Sequence, residues 1–188
     1  MHEAAMRLLN TLLALTLACA GAAAWGQAPA PLVPIASLDV QRYLGRWYEV
    51  AKFPNRFQRQ CVSDTSALYT LRPDGQLQVL NRCRLASGEF QQALGQARQT
   101  GGTTSARLQV RFAPEWLSFL PFVWGDYWVV DLDERYELVA VSEPGRDYLW
   151  ILSRTPEVEG ARYAALLSRL SAMGLDVGRL ENTVHTAR

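Results

Sequence analysis

The sequence predicts an all-β chain, an eight-stranded antiparallel up-and-down β-barrel with one C-terminal α-helix packed on its outside. Three observations predict it. Short runs rich in β-branched and aromatic residues recur from Arg46 onward, separated by turn residues at close spacing. Several runs alternate in and out with period two. One amphipathic helical stretch follows the last long run.

In chain order the runs are Trp47–Phe53, Ser63–Leu71, Gln76–Cys83, Phe90–Arg98, Ala106–Phe112, Asp126–Asp131, Tyr136–Ser142 and Tyr148–Ser153. Pro73-Asp74-Gly75, Ser87-Gly88, Thr100-Gly101-Gly102-Thr103, Asp131-Leu132-Asp133-Glu134 and Glu143-Pro144-Gly145-Arg146 lie between them. Each supplies turn chemistry: a fixed φ at Pro, positive φ at Gly, local hydrogen bonds at Asp. Leu77, Val79, Asn81 and Cys83 share one face, as do Leu108, Val110 and Phe112, and Ala93, Gly95 and Ala97. For the helix, Thr155 is the expected cap and Pro156 the first residue. Glu157 and Glu159 suit the dipole, Tyr163, Leu166, Leu167 and Leu170 form the apolar stripe, and Gly174 ends it. A short last strand is expected near Leu180–Val184. Closing eight strands removes the edges and leaves room for one small ligand.

Length and composition fit one domain with an aromatic-rich core: 188 residues, 49% hydrophobic, six Trp and seven Tyr. The charge balance of 19 Lys+Arg against 18 Asp+Glu, without a basic stripe, argues against a nucleic-acid partner. Residues 1–24 read as a signal peptide, with Arg7, an apolar run over Leu8 to Leu17, then small residues. That run is too short to favour a membrane-spanning helix. Two ends of the signal stay open. Ala18-Cys19 fits a lipoprotein signal, with Cys19 lipidated, although Thr16 stands where an aliphatic residue is usual. Cleavage after Ala20 or Ala24 fits the small-x-small rule equally. Residues 25–37 are a Pro/Ala-rich linker, an extended spacer or a frayed terminus, and residues 38–188 are the folded domain.

The remaining cysteines, Cys61 and Cys83, are an even count in an exported chain, which suggests a disulfide. With no CxxC and only His2 and His185, a zinc site lacks ligands, and no metal or other cofactor is expected. No Ser/His or paired-carboxylate arrangement is legible, so the chain is expected not to be an enzyme.

Gly45-Arg46-Trp47-Tyr48-Glu49, Gly125-Asp126-Tyr127-Trp128-Val129-Val130-Asp131 and Trp150-Ile151-Leu152-Ser153-Arg154-Thr155-Pro156 resemble the three short motifs of the lipocalin family. These are Gly-x-Trp, the Asp-rich turn after the sixth strand and the Arg after the eighth. The surrounding residues resemble most the bacterial outer-membrane lipocalins and apolipoprotein D, and the resemblance runs from about Leu38 to the helix. It implies a binding module that stores or transports a small hydrophobic ligand, a fatty acid or lysophospholipid, in the cell envelope (outer membrane or periplasm). With Trp47 at the closed end, strand direction brings Arg154 to the same end. Its guanidinium can stack on Trp47 and donate to free carbonyls there. Gly45, Trp47 and Arg154 are thus structural.

The same reasoning puts Cys61 and Cys83 together at the open mouth, where a bridge is reasonable. Alternation and the family pattern aim Thr65, Ala67, Tyr69, Leu77, Val79, Asn81, Ala93, Gly95, Ala97, Leu108, Val110, Phe112, Tyr127, Val129, Tyr148 and Trp150 at the ligand. Unbroken alternation puts Glu49 inside beside Trp47, where a bulge must turn it away or an Arg must pair with it. Lys52, Arg59, Arg82 and Arg84 are the candidate cations for a head group. Between the fifth and sixth runs, Trp116, Leu117, Phe119 and Leu120 lie in an apolar loop at the mouth. It reads as a lid, a surface that touches lipid, or core. Membrane association is expected through Cys19 or this loop, and a homodimer is a further expectation. Two rival functions remain: an isomerase-like enzyme using Cys83 as a pocket thiol, and a protein-interaction module using the apolar mouth.

Overall fold

The computed structural model describes residues 30–186. Cys19, the signal peptide and residues 25–29 of the linker lie outside the described residues. The eight long strands are β1 (Gly45–Lys52), β2 (Cys61–Leu71), β3 (Leu77–Leu85), β4 (Phe90–Gln99), β5 (Arg107–Arg111), β6 (Gly125–Leu132), β7 (Leu138–Ser142) and β8 (Leu149–Ser153). Each pairs antiparallel with the next, and β1 closes the barrel by pairing with both β2 and β8. A four-residue helix α1 (Val40–Tyr43) precedes β1, and helix α2 (Gly160–Ala172) follows β8. The last strand, β9 (Glu181–Asn182), is shorter than expected and pairs with β1.

Two apolar cores explain the residue pattern. Inside the barrel, Trp47, Leu77, Ala97, Leu108, Val129, Val139 and Val141 pack together. Outside it, Leu138, Ala140, Leu149 and Ile151 meet Leu166 and Leu170 of α2. Strand β7 is buried along its whole length because both faces are covered. In β6 the register shifts between Val129 and Asp131. Val130 thereby joins the core under the helix, while the Asp131 carboxylate accepts from Arg169 Nε and Nη2 at 2.6 and 2.9 Å.

Helix α2 begins later than the sequence suggests. Glu159, not Thr155, caps it, accepting from the amides of Ala161 and Arg162 at 2.8 and 3.0 Å. Arg154 is fixed at the barrel base, so the chain first crosses to the outer wall, and Thr155 donates instead to the Glu157 carbonyl at 2.7 Å. The helix ends as expected. Gly174 takes φ +80°, and the Leu175 amide donates back to the Leu170 carbonyl at 3.1 Å. The described end of the Pro/Ala stretch does not stand off as a spacer. Leu32 is buried with the helix core, and the Ile35 amide donates to the Val129 carbonyl at 2.9 Å.

The wall between β1 and β2 is laddered only in its lower half, from Gly45↔Tyr69 to Tyr48↔Ser66. Toward the mouth the C-terminal segment fills the seam. The Thr183 amide donates to the Val50 carbonyl, and the Asp64 amide to the Val184 carbonyl, both at 2.8 Å. Asp64 then accepts from the amide and hydroxyl of Thr186, and from Arg84 Nε at 2.7 Å.

Candidate ligand cavity

The base of the barrel is sealed by the residues of the first and third motifs. The Arg154 guanidinium lies 3.8 Å from the Trp47 ring centroid. It donates to the carbonyls of Arg46 (2.9 Å), Arg42 (2.8 Å) and Tyr136 (3.1 Å). Gly45 takes φ +96°, and a Cβ there would stand 3.3 Å from Arg154 Nη1, so both backbone and space call for glycine. The Trp47 indole donates to the Tyr43 carbonyl at 2.9 Å, tying α1 across the base.

Above this plug lies a tyrosine floor. The Tyr127 hydroxyl is 2.8 Å from those of both Tyr43 and Tyr69, and all three side chains are buried. Burial raises their pKa values, that of Tyr69 to about 12, so they stay neutral and share protons as a hydrogen-bonded chain.

Over the floor a cavity of about 730 Å³ opens to solvent at the mouth. Eleven expected residues border it: Thr65, Ala67, Tyr69, Val79, Asn81, Ala93, Val110, Phe112, Tyr127, Tyr148 and Trp150. Leu77, Gly95, Ala97, Leu108 and Val129 do not, contrary to expectation. Leu77, Ala97, Leu108 and Val129 are packed in the inner core with Tyr43 and Trp47. Gly95 is covered by Phe112, whose ring carbons would come within 2.6 Å of a Cβ there.

Glu49 also faces inward, 2% exposed, and neither expected remedy applies. The register shift with β8 comes after it, between Glu49 and Ala51, and its partners are not arginines. Gln58 Nε2 donates to Oε2 at 2.6 Å and Thr183 Oγ1 to Oε1 at 2.7 Å. Gln58 Oε1 in turn accepts from Trp150 Nε1 and Asn55 Nδ2, each at 2.9 Å. Desolvation raises the Glu49 pKa, while the Thr183 and Gln58 hydrogen bonds pull against it.

Of the candidate cations, Lys52 pairs with Glu181 at 2.8 Å and Arg84 with Asp64 at 2.7 Å. Arg59 is exposed and does not border the cavity. Arg82 borders it, with its guanidinium 3.5 Å over the Phe90 ring. Sequence reasoning missed Arg56 on the rim, and it missed Phe57, which borders the cavity beside Tyr148 at 5.7 Å between ring centroids. The clustering of Phe57 and Arg56 in the first mouth loop was the available signal.

Cys61 and Cys83 form a disulfide beside the cavity. The bridged Cys83 offers no thiolate. Among the described residues no group of three or more His, Cys, Asp or Glu could hold a metal ion. No helix among them is long and apolar enough to cross a membrane.

The apolar mouth loop is neither core nor, at the four named residues, a lid. Trp116 and Phe119 are 73% and 75% exposed, and Leu117 and Leu120 do not border the cavity. Its later part does, through Phe122, Val123 and Trp124, and Phe122 is 80% exposed.

A closed β-barrel, plugged at one end and opening on a cavity at the other, defines a class of small-ligand-binding barrels. The chain belongs to the lipocalin family: residues 38–185 match the lipocalin-like domain. It is 41% identical over 151 residues to temperature-induced lipocalin-1 of Arabidopsis thaliana, covering 79% of this chain and 80% of that one. It is 40% identical over 176 residues to the outer membrane lipoprotein Blc of Escherichia coli K12, covering 93% and 95%. Insecticyanin of the tobacco hornworm Manduca sexta shares the fold, with a TM-score of 0.64 at 17% identity over 81% of this chain and 84% of that one.

Proposed function

We propose that the barrel binds one fatty acid or lysophospholipid and stores or carries it in the bacterial cell envelope, at the outer membrane or in the periplasm. The observation that carries this is the cavity itself. Its volume of about 730 Å³ falls in the range of small-ligand sites, roughly 300–1,000 Å³. Apolar atoms make up most of its wall surface, and each buried methylene contributes about 0.8 kcal/mol before ordering costs. An acyl chain would enter tail first, so that its methylenes meet the apolar wall and its charged head stays solvated at the mouth near Arg56.

The outer-membrane placement follows the name of the Escherichia coli relative. Attachment would come from a lipidated Cys19 or from the exposed aromatics of the mouth loop, which suit a membrane interface. The cavity's work is binding rather than chemistry, since the disulfide leaves Cys83 without the free thiol that an isomerase-like reaction needs.

Native mass spectrometry of the protein purified from its own envelope, then denaturation to identify released masses, tests the proposal. One equivalent of an acyl lipid on a protein with the Cys61–Cys83 bridge intact is expected. An empty barrel that takes up neither oleic acid nor lysophosphatidylethanolamine would overturn it.

A further inference from the structure

The barrel wall is incomplete on one side. Strand β4 pairs with β3 from Phe90 through Ala97, but with β5 only from Gln96 through Gln99. The mouth half of β4 therefore presents a free backbone edge. Gln91 and Ala93 lie opposite the inward Cys83 and Asn81, yet both are exposed, because no neighbouring strand covers them. The cavity reaches this gap, bordered by Gln91 and Ala93 on one side and by Phe112, Ala113 and Phe122 on the other.

An unprotected sheet edge is ordinarily blunted with charge, proline or a covering element. The stretch Phe90-Gln91-Gln92-Ala93-Leu94 has neither charge nor proline, and Leu94 is 59% exposed. Across the gap, Pro114 supplies no amide donor, which stops β5 from extending steadily. Phe112 stands between, 43% exposed, its ring resting on the bare backbone of Gly95. Continuing the register beyond Gln96↔Arg111 would set Gly95 opposite Phe112 and Leu94 opposite Ala113.

We infer that this gap is a side window through which the acyl chain passes between the barrel and an adjacent lipid surface, with Phe112 and Ala113 as the leaf that zips onto β4 to shut it. The inference rests on the lipid-carrier reading. Phe122, on the window's far side, and the nearby Trp116 and Phe119 would meet the lipid, so a chain need not cross the water above the mouth.

The test pairs Leu94→Cys with Ala113→Cys, oxidises the protein mildly and maps the bridges to check that Cys61–Cys83 is kept. Release of bound cis-parinaric acid into excess phosphatidylethanolamine–phosphatidylglycerol vesicles is then followed by fluorescence. The locked protein should release about tenfold more slowly or worse than the same protein with the new bridge reduced. In a second variant, Phe112→Ala, release should speed up by roughly threefold or more. Equal rates for the locked and reduced forms would overturn the window, as would a cysteine pair that never bridges. If the wild-type protein takes up no parinaric acid at all, the carrier reading fails, and the window with it.

Discussion

Replacing Arg154 with alanine separates a structural plug from a ligand contact. The guanidinium holds three carbonyls, those of Arg42, Arg46 and Tyr136, and stacks on Trp47. Hydrogen bonds from a charged donor contribute about 1.5–3 kcal/mol each, and the stacking about 0.5–2 kcal/mol. Arg154 is half-buried, so water reaches the vacated carbonyls and the gross sum is not realised. The expected loss is about 2–4 kcal/mol, measured by urea denaturation. For a domain of this size that lowers Tm by roughly 5–15 °C. Arg154→Lys keeps the charge but not the planar fork, and should recover less than half of the loss. Arg154 does not border the cavity, so affinity for a fatty acid, titrated well below the transition, should stay at the wild-type value. Wild-type stability in Arg154→Ala, or intact stability with lost binding, would refute the assignment of this residue to the base.

Other perturbations probe the mouth. The Glu49 pKa is raised in the fold, so the unfolded chain ionises first as pH rises, and native stability falls from the ordinary carboxylate range upward. Glu49→Gln keeps the shape without the charge. It should be at least as stable as wild type at pH 7, with the advantage vanishing near about pH 4 in thermal melts. Converting Cys61 and Cys83 to serine frees a loop between residues 22 apart and should cost about 3 kcal/mol in urea denaturation. Trp116→Ser with Phe119→Ser removes two exposed rings without touching the cavity. Co-sedimentation with anionic vesicles should drop, while fatty-acid affinity in solution holds; unchanged sedimentation would remove the loop from membrane contact.

Strand order, helix stripe and motif contacts were legible because each depends on local periodicity or on a few side chains of fixed geometry. Alternation assigns a face, but a face is not a level. Leu77, Leu108 and Val129 turn inward as expected, yet they fall below a floor that Tyr43 builds from outside the strands. Nothing in the spacing of β-strands announces that a residue from α1 will reach Tyr127. The late start of α2 was hidden for a similar reason: Thr155 and Glu159 are both competent caps, and Arg154's grip on the base decides between them. Glu49 found its partners in a loop glutamine and a threonine 134 residues away, a pairing that only the closed barrel creates.

That last contact bears on when the molecule can become itself. The seam between β1 and β2 is completed by Thr183, Val184 and Thr186, and the base by Arg154 reaching back to Arg46. Both ends of the cylinder thus wait for residues more than a hundred positions downstream of their partners. Pairings so remote in sequence form slowly, because loop-closure entropy is lost before they stabilise anything. A chain emerging N-terminus first cannot close its barrel until β8 and the segment after α2 have followed β1.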